Sequence, residues 1–501
     1  MNHLMKTKHI LGVAALALSS LTLAGCSDFL SPEPESTYTT NTFYSSQNDF
    51  DKAITAAYAV MEDCYKGDKG YLHFLTARSD ETNSINTNLY SDGAESFTDN
   101  SSCSPTEKLW NYMYQMISRT NSILVHIDNV KFSNETLKNS IKGEAYGLRA
   151  WAYETMGKMF GGVPLLVDKE YTVAETHQVA RSTQKETLEQ AVKDYKNAIS
   201  LLPSSWDSAN RGRMTKWAAN AALGRLLMFM NQPAEARPYL EAVIGSGLYQ
   251  MAANYEGIFS DAYDNDPQND RLWEVQYVGG QSTEGQDYSE MMMMEDCGID
   301  RGWAYRGASS AMQVSTDLLS TFESGDGRQA WFTVDDLTDS KARGYTWCTK
   351  FCRARKWVPT SGSDWAVNLP VIRYTEVLML EAEAINATDG PTATAIGYVN
   401  QVRQRAGLPA LASGKTDTQA HFLEAIKQER RIEFMWEGLR WFDLIRWGDM
   451  VSTYQKFFAQ SDEGNGQYVK QVDNNRAIFA IPQTEMDIYD NTSILWQNDG
   501  Y

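Results

Sequence analysis

The sequence predicts a mainly α-helical domain in which paired helices support a loop-rich face, with few short strands. Three observations lead there. From about Phe50 onward, apolar residues recur at three-to-four spacing through most of the chain, the period of a helix with one buried face. The helical stretches are separated by Asn, Gly and Pro, residues that end helices. Residues 250 to 365 abandon that pattern for Gly, Asp, Ser and aromatics, and so long a loop-rich interval inside a helical protein points to function.

In chain order, Lys6 and Lys8 precede the small or apolar run Ile10 to Gly25. That is the form of a secretory signal peptide, whose apolar core is too short for a stable membrane span. The run ends in Leu23-Ala24-Gly25-Cys26, the form of a lipobox, so residues 1–25 are expected to be removed and Cys26 lipidated. Residues 26–501 then form one domain. Polar, proline-bearing residues 26–49 serve as tether and start, about 50–250 as a helical part, about 250–365 as the loop-rich ligand face, and about 366–501 as a C-terminal helical part.

Within the first helical part, Ile141, Ala145, Leu148, Ala152, Met156 and Met159 mark one face of a helix that stops at Gly161-Gly162-Val163-Pro164, where proline forbids continuation. Further helices are expected near 184–201, 213–231 and 233–245. Leu223, Gly224, Leu227, Ala236 and Leu240 sit at the offsets of a tetratricopeptide-like pair, in which a small residue lets the two helices approach. A second pair is expected from "VIRYTEVLMLEAEAIN" and "TATAIGYVNQVRQRAG". In the loop-rich interval only "RLWEVQYV", Arg271 to Val278, reads as a strand.

The formal charge of −19 repels phosphate backbones, so nucleic acid is excluded as a partner. Cys64, Cys103, Cys297, Cys348 and Cys352 remain after Cys26, an odd number, and no histidine lies near the Cys348/Cys352 pair in sequence to complete a zinc site. The acids of "DAYDNDPQND", Asp261 to Asp270, lack EF-hand spacing and read as a solvated loop. Neither a metal nor a cofactor is expected. Gly-x-Ser-x-Gly, His-Glu-x-x-His and a phosphate-cradling glycine loop are all absent from the sequence. The run Met291 to Met294 reads as a packed loop or helix start, with an adaptable contact to a partner as the alternative.

Six stretches, in order along the chain, carry a resemblance. They are Cys26-Ser27-Asp28-Phe29-Leu30, "GEAYGLRAWAYETMGKMFGGVPLL" (143–166), "NLPVIRYTEVLMLEAEAIN" (368–386), "VNQVRQRAGL" (399–408), "ERRIEFMWEGLRWFDLIRWGD" (429–449), and "IFAIPQTEM" (478–486) with the closing "QNDGY". Together the chain resembles the SusD/RagB family of nutrient-binding outer-membrane lipoproteins. The resemblance implies a SusD-like fold with tetratricopeptide-like helix pairs supporting a loop-rich ligand-binding face. It implies a surface-exposed, lipid-anchored protein of the outer membrane that passes oligosaccharide to a SusC-like TonB-dependent transporter, without catalysis. A peptide- or protein-binding lid of the same transporter type and a surface glycoside hydrolase are the alternative readings.

A sugar presents flat C–H faces ringed by hydroxyls, so its binder combines aromatic platforms with polar rims. In "EDCGIDRGWAYRG", Trp303 and Tyr305 stand beside Arg301 and Asp296 without helical pattern. Tyr288 lies upstream, and Tyr90 sits in a second loop-like stretch. These six residues are the expected ligand contacts. Trp110, Trp151, Trp217, Trp273 and the tryptophans of 429–449 fall in periodic segments and are expected in the core. The 429–449 stretch itself reads as a structural helix pair, its charges three apart as Arg430/Glu433, Glu437/Arg440, Arg440/Asp443 and Asp443/Arg446.

Overall fold

Helix starts are written locally in this chain. Asn134 accepts from the Leu137 N–H, and Thr183 with Glu186 forms a reciprocal capping box, so each satisfies backbone donors that a helix leaves unpaired. In the computed structural model, which describes residues 43–66, 70–84, 92–280, 284–288, 312–335, 346–351, 364–460 and 468–501, the helices of the first part are α1 (Gln47–Tyr65), α2 (Tyr71–Ala77), α3 (Ser104–His126), α4 (Glu135–Phe160), α5 (Gln184–Leu201), α6 (Lys216–Phe229) and α7 (Pro233–Gly245). The C-terminal part contributes α8 (Tyr374–Asp389), α9 (Ala393–Arg405), α10 (Gln419–Glu433), α11 (Arg440–Trp447), α12 (Met450–Ala459) and α13 (Gln483–Tyr489).

The long helix α4 packs between α3 and α5 and is buried around most of its circumference. Four charges therefore lie inside. Arg149 forks onto Asp194 of α5 at 2.7 and 2.8 Å, and Glu154 pairs with Lys158. At the end of α4, a Cβ on Gly162 would lie 1.7 Å from the Ser182 carbonyl oxygen, so only glycine admits that crossing. The pair α6/α7 forms as expected, with Leu223, Leu227, Ala236 and Leu240 all buried. A Cβ on Gly224 would meet Leu240 Cδ2 at 2.6 Å. The second pair, α8/α9, shares with α10 a smaller separate core of Met379, Ile385, Val399, Val402, Phe422 and Ile426.

That second pair starts later than its sequence suggests. Val371, Ile372 and Arg373 belong to a strand, and α8 begins at Tyr374. The described strands form three antiparallel pairs: β1 (Thr82–Ser84) with β3 (Met312–Val314), β2 (Arg271–Val275) with β6 (Leu369–Arg373), and β4 (Thr333–Asp335) with β5 (Thr346–Cys348). β2 and β6 are buried throughout, so their apolar runs lack alternation and imitate helix. Asp270, at the head of β2, caps α8 from outside by accepting the Thr375 N–H at 2.6 Å. It also pairs with Arg373 at 2.7 Å and is fully buried. The solvated-loop reading of 261–270 is thus corrected at its end: Asp270 is a structural anion, and Asp266 caps the turn Pro267–Asn269.

The 429–449 segment is α10, a bend and α11. The bend holds Trp436 (φ 66°) and Gly438 (φ 74°) in the left-handed region. Of the four expected local pairs only Asp443–Arg446 forms, at 2.8 Å. The other charges reach across the fold because the bend turns them inward: Arg430 to Asp443, Glu433 to Arg373 and Arg405, Glu437 to Lys350 and Arg373, and Arg440 to Asp80. Trp110, Trp151, Trp273, Trp436 and Trp441 are buried, whereas Trp217 and Trp447 are only partly so. Among the described residues, no helix is long and apolar enough to cross a membrane, and no cluster of His, Cys, Asp and Glu is arranged to hold a metal ion.

Candidate functional site

Trp303, Tyr305, Arg301 and Asp296 lie in 289–311 and Tyr90 in 85–91, both outside the described residues, as do the Met291–Met294 run, Cys297, Cys352 and Trp357. What the structure describes is the footing from which those segments leave. β1 ends at Ser84, which pairs with Met312, the first residue of β3. The segment bearing Tyr90 therefore departs beside the point where the segment bearing Trp303 and Tyr305 returns. Gln286 exchanges two backbone hydrogen bonds with Trp365, both 3.0 Å, fixing the approach to 289–311. The β4/β5 pair packs beside β3.

This footing is tied to the interior by charge. Just before β1, Asp80 accepts a forked pair from Arg440 at 2.8 and 2.9 Å and lies 2.8 Å from Arg431. Burial alone would raise the Asp80 carboxyl, but the two guanidiniums outweigh it and hold the group at about 2. Its neighbour Glu81 accepts the Trp436 N–H at 2.9 Å, and its backbone oxygen accepts from Ser315, next after β3. Burial pushes the Glu81 carboxyl up to about 7, because the Trp436 N–H and the guanidiniums of Arg440 and Arg431 offset only part of that cost while the Asp80 charge adds to it. Just after β5, the buried Lys350 ammonium donates to the Glu433 and Met435 carbonyls at 2.7 and 3.0 Å and to Glu437 at 2.5 Å. With Arg373 of β6 bonded to Glu433 and Glu437 as well, all three strand pairs hang on residues 431–440. The stretch first met as a charged, aromatic helix pair is the clamp beneath the loop footing.

Tyr288, expected at the ligand face, is corrected by its position. It is 0 % exposed, its hydroxyl lies between Thr76 Oγ1 (2.7 Å) and the Trp436 carbonyl (2.6 Å), and its ring meets His73 and Phe351. A phenol with both its edge and its tip enclosed is a core residue under the face. Trp347 and Trp365 are buried in the same layer. Asp80, Glu81, Lys350 and Arg373 escaped the sequence reading. The available signal was a lone charge set in an apolar run, as Arg373 is in "LPVIRYTEV", because a buried charge demands a partner.

Short strand pairs fixing loop roots on a bed of paired helices define a helical scaffold that presents a loop face, the architecture of the SusD superfamily. Comparisons agree along nearly the whole chain. A family model described as SusD family matches residues 332–501, and another, described as starch-binding and associating with the outer membrane, matches 28–228. SusD-like protein P38 of Formosa agariphila is 26% identical over 90% of this chain and 93% of its own length. A SusD-like protein of Bacteroides ovatus is 24% identical over 88% of this chain and 83% of its own. Among solved structures, a laminarin-binding SusD-like protein superposes with a TM-score of 0.76 at 24% identity, covering 91% of this chain and 100% of that one. A SusD homologue from Bacteroides thetaiotaomicron gives 0.78 at 19% identity, covering 95% and 100%. The chain belongs to the SusD/RagB family.

Proposed function

We propose that this chain is a non-catalytic lipoprotein of the outer-membrane surface, anchored through Cys26, which captures oligosaccharide and delivers it to a SusC-like TonB-dependent transporter. The observation that carries this reading is the adjacency of the loop roots. Ser84 and Met312 are paired, so the aromatics of 85–91 and 289–311 attach to one footing, as a shared platform for a sugar requires. The names of similar proteins support the ligand class: one solved relative is laminarin-binding, and a surface glycan-binding protein A was solved with laminarihexaose. On this platform Trp303, Tyr305 and Tyr90 supply ring faces for sugar C–H groups, and Arg301 and Asp296 bond hydroxyls at the rim.

Native electrophoresis in gels containing laminarin, starch, xylan or mannan tests the reading. The wild type is expected to be retarded by at least one polysaccharide, and Trp303→Ala with Tyr305→Ala to lose most of that retardation. Equal retardation of wild type and double variant would remove the site assignment. Thermal stabilisation by peptides and by no glycan would instead favour a peptide-binding lid, and release of sugar products would favour a hydrolase.

A further inference from the structure

We propose that a pocket between α3, residues 166–177 and α13 is a second carbohydrate site, which accepts a single pyranose residue; this rests on the glycan-capture reading and adds a site to it. The pocket has a volume of about 180 Å³. A cavity of about 150 Å³ admits benzene, so the space suits one six-membered ring and excludes a folded chain.

Its walls combine ring platforms and polar groups as a sugar requires. Tyr114, Tyr171 and Tyr489 line it. Their hydroxyls are committed to the surrounding frame, Tyr114 donating to the Pro164 carbonyl at 2.9 Å, Tyr489 to the Thr176 carbonyl at 3.1 Å, and Tyr171 to Asp168. Tethered at the tip, each ring is held in place before any ligand arrives, which lowers the entropic cost of binding. The His177 ring packs on Tyr489 with centroids 5.2 Å apart. Asn111 and Ser118 lie seven residues apart on α3, one face of the helix two turns apart, and both are exposed pocket-lining groups able to turn to a ligand.

The charges favour a neutral guest. Lys169 is engaged by Glu175 at 2.6 Å, and the acids Glu170 and Glu485 in the wall repel phosphate or carboxylate. A wholly apolar guest would leave the Asn111 and Ser118 groups desolvated and unpaired. A ring-shaped, hydroxyl-bearing, uncharged group satisfies both constraints.

The chain connects this pocket to the segment that bears Tyr90. The chain returns from 85–91 at Asp92, whose carboxylate accepts the Ser104 N–H at 2.9 Å at the start of α3. At about 1.5 Å per residue, Asn111 and Ser118 lie roughly 10 and 21 Å further along that rigid helix. Two sites on one chain can engage one long polysaccharide together, and avidity then multiplies modest affinities.

The test uses the same four polysaccharide gels with two variants. Asn111→Ala/Ser118→Ala alters exposed helix positions where alanine is a good helix former, so folding is preserved. Tyr489→Ala removes a platform, and Tyr489→Phe keeps the ring as a control. Both alanine variants are expected to weaken apparent affinity about three- to tenfold, the range of a single ring contact, with Tyr489→Phe, which keeps the ring but loses its tether to Thr176, weakened less than Tyr489→Ala. In a Trp303→Ala background, Asn111→Ala/Ser118→Ala is expected to abolish the remaining retardation. If the wild type is retarded and neither alanine variant differs from it, the second site is overturned while glycan capture stands. If no polysaccharide retards the wild type, both readings fall.

Discussion

At the residue scale, Glu81 carries the sharpest consequence. One carboxylate oxygen accepts the Trp436 N–H, and the other has no hydrogen-bond partner among the described residues. A buried carboxylate so placed is held mainly as the neutral acid, its titration moved from 4.5 up to about 7 by desolvation. Below pH 4.5 both folded and unfolded chains keep the proton, so Glu81 imposes no penalty. Between 4.5 and about 7 only the folded chain keeps it, and stability falls as pH rises through that window. At about 1.36 kcal/mol per unit the full penalty above pH 7 is on the order of 3 kcal/mol. Glu81→Gln should therefore raise the urea-unfolding free energy by about 1–3 kcal/mol at pH 8 and by almost nothing at pH 4.5. Such positions are hard to read from sequence. Tyr288 and Glu81 stand in segments without periodicity, and whether a tyrosine faces a ligand or a threonine depends on Thr76 and Trp436, residues far away along the chain. Asp270 looks like one acid among several, and only the strand bearing Arg373, 103 residues on, makes it a buried anion.

At the element scale, what is local was legible. The bounds of α5 and α7 agree with the expected 184–201 and 233–245 to the residue, because a capping box or an N-terminal proline starts each helix. Three-residue strands have no such signature. β1, β3, β4 and β5 exist through pairing alone, and the run leading into α8 imitates a helix because both faces of β6 are buried. The tetratricopeptide-like pair permits a direct test. Gly224 is where α6 and α7 touch, and an added methyl would overlap Leu240 Cδ2 and Cγ at 2.6 and 2.7 Å. Gly224→Ala gains helix propensity of about 1 kcal/mol but overpacks the contact by about 1–3 kcal/mol. The overlap is with a branched side chain that is itself fully buried, so it has nowhere to retreat, and a net loss of up to about 2 kcal/mol is expected. Leu240→Ala, which alone opens a cavity, should be less damaging in the Gly224→Ala background than in wild type. Strictly additive losses in urea titrations of the four proteins would show that the two residues do not share the contact.

At the scale of the whole molecule, the loop footing and the helical bed are joined by one buried ionic network whose centre is Arg373. Its guanidinium bonds Asp270 before β2 (2.7 Å), Glu433 at the end of α10 (3.1 Å) and Glu437 in the bend (2.8 Å). Glu437 in turn holds Lys350 beside β5, and Glu433 pairs with Arg405 of α9. Burial would raise the Glu433 carboxyl, yet Arg405, Arg373, Arg328 and Lys350 together hold it at about 2. Its stabilisation is thus complete above about pH 4.5 and is lost only as pH falls through about 2. Arg373→Met fills similar space but leaves three buried carboxylates short of a cation. Removing one partner of a buried pair costs about 3–5 kcal/mol, whereas removing an exposed one, as in Lys185→Ala opposite Glu189, should cost no more than about 0.5 kcal/mol. The sign of the pH dependence separates charge from packing. Without Arg373, Glu433 and Glu437 lose a cation that lowers them and escape their penalty by taking protons, so the deficit should be largest near pH 7.5 and shrink as pH falls toward 4.5. Because the network is buried, 1 M salt should leave the deficit at pH 7.5 nearly unchanged. Equal losses at both pH values in urea titrations would mean that Arg373 acts as filler and that the clamp beneath the loop footing is held by packing instead of charge.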